Sequence, residues 1–213
     1  GYKSKLIDFE ITNKFIYVKR RPLDWAQNNM YTISYMEKYY ILEDNYIRVD
    51  NRFIDFSNYD HAPRHQELPA FYTISYLDKF TYYNGTAPWT NGNLTVKRDM
   101  GFWGGNPDAY ATISAGNTET WCAWTNDDEN YDFGLGLYVP NISCYLAGRF
   151  MYNDSPDSSD PATNFVAPLR NMIMKSYKPI EYSYLITAGS VEEIRDTFTE
   201  NSDFTDNAAL SDY

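Results

Sequence analysis

Apolar residues recur in this chain at every second position far more often than at helical spacing. The segments KLIDFEIT, KFIYVKR, MYTISYM, NYIRVDNRFIDF, LPAFYTISYL, KFTYYNG, GNLTVKRD, TETWCAW, FGLGLYV, SCYLAGRF, NMIMKSY and IEYSYLITAG all alternate in this way. That is the period of a strand with one buried and one wet face. Between them lie LEDN, NGTAPWTNGN, GGNPD, TNDDEN, VPN and NDSPDSSDPATN, clusters of residues that favour turns. About twelve short strands joined by polar turns predict an all-β fold, an antiparallel β-sandwich. One segment departs from the rule. SVEEIRDTF places Glu193 three residues after Ser190, the capping-box spacing, and predicts a short C-terminal helix. The expected organisation is a single sandwich domain over residues 1–200, followed by an acidic tail or linker over 201–213.

Composition narrows the class of partner. The 213 residues include 21 Tyr, 12 Phe and 5 Trp, with a formal net charge of −11. A field of that sign repels phosphate backbones and anionic lipid, so neither nucleic acid nor membrane is an expected partner. A neutral polysaccharide meets no such penalty. No apolar run reaches the roughly 18 residues of a membrane-spanning helix. The opening GYKSKLIDFE lacks both an initiator Met and a hydrophobic signal core. It is read as the start of an excised or processed module of a larger multimodular protein. Cys122 and Cys144 fall on separate expected strands, which leaves a disulfide and two buried thiols equally open.

The tryptophans carry most of the binding argument. Trp89 lies in NGTAPWTNGN, Trp103 in MGFWGGNPD, and Trp25 follows RRPLD. An indole in a solvated loop is costly unless it packs or binds something. Flat sugar faces present C–H groups that stack on such rings, while their hydroxyls need flanking polar partners. In ETWCAW, alternation sends Trp121 to one face and Trp124 to the other. One of the two is therefore expected in the core and the other on the outer face of the sheet.

Both histidines, His61 and His65, lie in HAPRHQELPAFYT beside Arg64, Gln66 and Glu67. Imidazoles and a carboxylate are competent zinc ligands, but Pro63 and Pro69 forbid the helix on which the two-histidine spacing of zinc hydrolases is built. The stretch is read as a polar rim, with Arg64, His65, Gln66 and Glu67 as hydrogen-bonding contacts for sugar hydroxyls. A catalytic cluster built on His61, His65 and Glu67 is the alternative. The carboxylates Asp24, Asp55, Glu67, Glu119 and Glu181 include no pair that the sequence singles out for glycoside hydrolysis. Calcium is the one cofactor considered, at Asp128, Asn130 and Asp132 or at Asp154, Asp157 and Asp160. Solvated acidic turns are commoner, and no cofactor is expected. FGLGLYV is no nucleotide fingerprint, and its glycines fit a bulge or a close backbone approach.

The blocks HQELPAFYT, YYNGTAPWT, ETWCAW and FGLGLYVPN with LAGRF resemble long β-sandwich carbohydrate-binding modules of secreted, including cellulosomal, plant-cell-wall-degrading bacteria. NYIRVDNRFIDF is also similar to the large sandwiches of mutarotase-like and lyase-associated domains. The first resemblance implies a secreted, extracellular, non-catalytic module that captures a neutral plant β-glycan such as β-glucan or xyloglucan. The ligand-binding residues would be drawn from Trp25, Trp89, Trp103, Trp121 and Trp124, with the rim at Arg64, His65, Gln66 and Glu67. The runner-up is a polysaccharide lyase or glycoside hydrolase centred on the histidine segment.

Overall fold

A computed structural model describes residues 3–98, 100, 110–112, 119–128, 131–150 and 163–206, with backbone only at Trp25, 110–112 and Phe150. In chain order the strands are β1 (Lys5–Ile11), β2 (Phe15–Arg21), β3 (Leu23–Asp24), β4 (Met30–Tyr31), β5 (Ser34–Leu42), β6 (Ile47–Asp55), β7 (Arg64–Glu67), β8 (Phe71–Ile74) and β9 (Lys79–Tyr83). They continue with β10 (Leu94–Lys97), β11 (Tyr110–Thr112), β12 (Trp121–Thr125), β13 (Gly134–Tyr138), β14 (Cys144–Phe150), β15 (Thr163–Met172) and β16 (Ile180–Gly189). The helix α1 spans Val191–Glu200. The protein is therefore an all-β, sandwich-like fold with one C-terminal helix, as the alternation predicts.

The chain forms two compact units: Gly1–Arg64 with Met172–Tyr184 and Thr205–Tyr213, and His65–Asn171 with Leu185–Phe204. In the first, the strand order is β1-β2-β5-β6 followed by the opening half of β16. The pairs β1–β2, β2–β5 and β5–β6 are antiparallel. One face of these strands is polar: Glu37 of β5 takes Lys19 at 2.8 Å, and Tyr17 and Tyr39 lie 4.6 Å apart by ring centroid. Val49, Asn51, Tyr182 and Tyr184 are buried.

In the second unit, the closing half of β16 pairs with β13, and the order continues β12-β9-β10. A second sheet runs β11-β14-β15-β7, with β8 also on β15. Between the two layers lie Phe80, Tyr82, Trp124 and Tyr145, with Phe80 and Trp124 only 4.9 Å apart. The opposite face of β12 and β13 is covered by α1. Gly136 makes that approach possible, because a Cβ there would sit 2.4 Å from Ile194. Ser190 caps α1 and Glu193 closes the box back onto it, as expected.

Three departures from the alternation have local causes. NMIMKSY is not a separate strand; β15 ends at Met172 inside it. Most of β15 goes unpredicted because Pro168 sits within it, and proline normally marks a strand edge. Here the Pro168 carbonyl still accepts the Leu68 N–H at 2.9 Å. MYTISYM splits into β4 and the start of β5, because the Thr32 N–H turns back to the Pro22 carbonyl. Cys122 and Cys144 are free thiols, and burial raises both pKa values. In the expected tail, Phe204 packs on Tyr138 in the second unit and Asp206 accepts the Ser183 N–H in the first; residues 207–213 lie outside the described residues.

Candidate functional site

The strand tryptophans are not available for binding. Trp121 and Trp124 are 0% and 1% exposed. The expectation that one of them faces solvent fails because both faces of β12 are covered, one by the facing sheet and the other by α1. Trp121 lies 6.1 Å from Phe198 of that helix. Its indole N–H donates to Glu119, whose carboxylate also accepts the Trp89 backbone N–H at 2.7 Å and the Arg195 guanidinium at 3.0 Å. A buried carboxylate so fully partnered is a structural clamp. Trp89 is half-buried, with a φ of 60° and its ring 5.5 Å from Tyr138. The Trp25 side chain and all of Trp103 lie outside the described residues.

The histidine segment is divided. Arg64, His65, Gln66 and Glu67 form β7; Gln66 is half-buried and the other three are exposed. Desolvation raises the Glu67 carboxyl. His61 belongs to the first unit, where its ring meets Tyr59 edge-on at 5.0 Å. Among the described residues no group of acidic, histidine and cysteine side chains is arranged to hold a metal. In the first calcium candidate, Asp132 is engaged by Lys79 at 3.0 Å and by the Val191 N–H at 3.0 Å. Asn130 and the second candidate, Asp154, Asp157 and Asp160, lie outside the described residues.

Among the described residues the rings most open to water belong to tyrosine and phenylalanine. In the second unit a groove of about 580 Å³ is lined by Tyr72, Thr73, Ile74, Tyr76, Leu77, Asn126, Tyr131, Phe133, Leu135 and Thr163. Its size falls within the range of small-molecule sites. Tyr131 is 63% exposed and Phe133 is 39% exposed, and their rings stack at 5.9 Å with 14° between planes.

Local chemistry fixes that platform. Residues two apart in extended chain point the same way, so Tyr131 and Phe133 share a side and Asp132 takes the other. Asp132 then anchors the segment to Lys79 and to the start of α1. Desolvation pushes its carboxyl up, but the hydrogen bonds from Val191 and Lys79 outweigh this and hold it below the usual aspartate range. Asn126 grips both strands of the turn: its N–H donates to the Phe133 carbonyl, and its side-chain oxygen accepts the Phe133 N–H, each at 3.0 Å.

The opposite wall is held from β15. The Asn164 side-chain amide donates to the Ser75 and Leu77 carbonyls at 3.2 and 2.8 Å, fixing the turn that presents Tyr76. Desolvation and the charge of Glu67 both raise the pKa of Tyr72, on β8, above the ordinary tyrosine value. The Thr163 hydroxyl is buried without a hydrogen-bond partner among the described residues. Among the described residues no charged side chain lines the groove. It offers flat rings, hydroxyls and one amide, which is the chemistry of a neutral polyol with apolar faces.

Sequence reasoning missed these residues because it searched for indoles. The signal available was NYDFG, where two aromatic rings at alternate positions flank an aspartate in a turn.

No protein-family model matches the chain, and no curated protein matches it. Solved structures match in fold. A galactose mutarotase-like protein from Lactobacillus casei ATCC 334 is 10% identical over 88% of this chain and 73% of its own, with a TM-score of 0.53. A GH36 alpha-galactosidase from Geobacillus stearothermophilus is 11% identical over 91% of this chain, with a TM-score of 0.51. The alpha-galactosidase from Lactobacillus brevis is 9% identical over 89%, with a TM-score of 0.50. This chain spans 27% and 26% of those two enzymes. At such identities the likeness is one of fold: the chain has the β-sandwich architecture found in these sugar-related proteins.

Proposed function

We propose that this protein is a non-catalytic carbohydrate-binding module that takes a neutral β-glycan of the plant cell wall, such as β-glucan or xyloglucan, into the groove of the second unit. The observation that carries the reading is the stacked Tyr131–Phe133 pair standing in water beside Tyr72 and Tyr76, with no charged group among the described lining residues. Pyranose faces lie flat on such rings, while Asn126, Thr73, Thr163 and the tyrosine hydroxyls meet ring hydroxyls at the edges. The fold shared with sugar-related proteins supports the same class. In the alpha-galactosidases a region of this size is about a quarter of a longer enzyme, in keeping with a module of a larger protein.

Affinity electrophoresis on a panel of neutral and acidic polysaccharides tests the reading. Retardation on a neutral glycan, lost in Tyr131→Ala, is the expected result; migration unchanged on every neutral glycan overturns it.

One observation favours a second reading. The Glu67 carboxyl is raised by desolvation, the direction a general acid requires, and its charge reaches Tyr72 on the groove wall. A glycan-active enzyme would then release reducing ends or unsaturated uronate, and Glu67→Gln would abolish that release.

A further inference from the structure

The first unit holds a second cavity of different character. About 450 Å³ in volume, it is lined by Asp24 at the end of β3 and Gln27 just after it, by the run from Met30 on β4 to Ser34 at the start of β5, and by Phe53, Asp55, Ser57, Tyr59, His61 and Met174. Tyr31 and Tyr59, 47% and 62% exposed, stand at its walls. Among the described residues two carboxylates line it and no Lys or Arg does.

Asp55 is the informative residue. It is only 9% exposed. Desolvation pushes its carboxyl up, but hydrogen bonds from Ser57 and Ser34, together with nearby His61, outweigh this and lower its pKa. The Ser34 hydroxyl donates at 2.8 Å, and the Ser57 hydroxyl and N–H donate to the other oxygen. Asp55 is thus ionised at neutral pH, and its hydrogen-bond donors are neutral groups. Among the described residues neither Asp55 nor Asp24 forms an ion pair with Lys or Arg. Arg21 is held at the cavity wall by the carbonyls of Thr32 and Tyr31 and over the Tyr31 ring, with no bond to either carboxylate. A nearly buried anion that no Lys or Arg pairs with, beside the mostly exposed Tyr59 ring, is an environment in which an ammonium group gains both Coulomb attraction and cation–π contact. The serine and threonine hydroxyls and the Gln27 amide add partners for alcohol groups.

We infer that this cavity binds a sugar bearing a free amine, a hexosamine, with the ammonium directed at Asp55 and the pyranose ring against Tyr31 or Tyr59. This site is separate from the groove in the second unit, and the two readings can fail independently. Ligand-observed NMR on the whole chain at neutral pH, using D-glucosamine, D-glucose, N-acetyl-D-glucosamine and ethanolamine, tests it. Glucosamine should bind about tenfold tighter than any of the other three, a single charge-assisted contact's worth, and should weaken as salt is raised. Tyr59→Ala, at a mostly exposed position, should weaken glucosamine binding with the circular dichroism unchanged. Tyr131→Ala should leave it intact. Equal affinity for glucosamine and glucose, equal affinity for ethanolamine, or loss of glucosamine binding in Tyr131→Ala would each overturn the inference.

Discussion

Two groups of aromatic side chains in the second unit start from similar sequence and end with opposite fates. Trp121 and Trp124 sit on one strand, and each is sealed, one against α1 and the other against the facing sheet. Tyr131 and Phe133 sit on the next connection, also at alternating positions, and remain in water as a stacked pair. Ring size does not separate them, since the larger rings are the hidden ones. What separates them is the backbone's anchoring. Strand β12 is paired on both sides and covered on both faces, whereas the 126–133 turn is gripped through Asn126 and Asp132, which leaves its rings free. An aromatic ring becomes a binding surface where polar residues hold the chain and the ring is not needed for the purpose.

That contrast can be broken at several points. The largest effect is expected at the sealed side: Glu119→Ala leaves the Arg195 guanidinium buried and strips the Trp121 and Trp89 N–H groups of their acceptor, costing about 3–5 kcal/mol in denaturant unfolding. Trp121→Ala should cost a similar 3–5 kcal/mol or somewhat less through the cavity left under α1. Tyr131→Ala should do the reverse, changing stability by less than about 0.5 kcal/mol while weakening glycan binding by about 2 kcal/mol, roughly 30-fold by titration. Ser190→Ala removes the cap of α1 and should lower stability by about 1 kcal/mol with no effect on the groove.

The smallest effect is a pH dependence. The Asp132 pKa is lower folded than unfolded, so its contribution is present above the ordinary value of 3.8 and is lost as pH falls through the depressed one. A melting-temperature series in acid should therefore show a shallower decline for Asp132→Asn than for the parent chain.

Much of the architecture was legible because strand period and turn chemistry are local. The capping box at Ser190 and Glu193 could be read from two residues, and so could the close approach at Gly136. The fate of Trp121 could not. Alternation separates the two sides of a strand but does not say whether the far side meets water or a helix some 70 residues on, as Arg195 and Glu119 illustrate. The groove was hidden for a related reason: it is assembled from β8, the turn after it and the 126–133 turn, and none of these stands out alone. The acidic cavity was half-visible, since HAPRHQ flagged His61 but nothing tied it to Asp55 or Tyr31.

The pairing of Glu119 with Arg195 also orders events during synthesis. A ribosome delivers the anion long before its guanidinium, so an emerging chain carries a charge with nothing to neutralise it where a core is due to form. A chain cut before residue 195 lacks the guanidinium that pairs with Glu119, and limited proteolysis of such a truncation is expected to cut β12 faster than in the full chain.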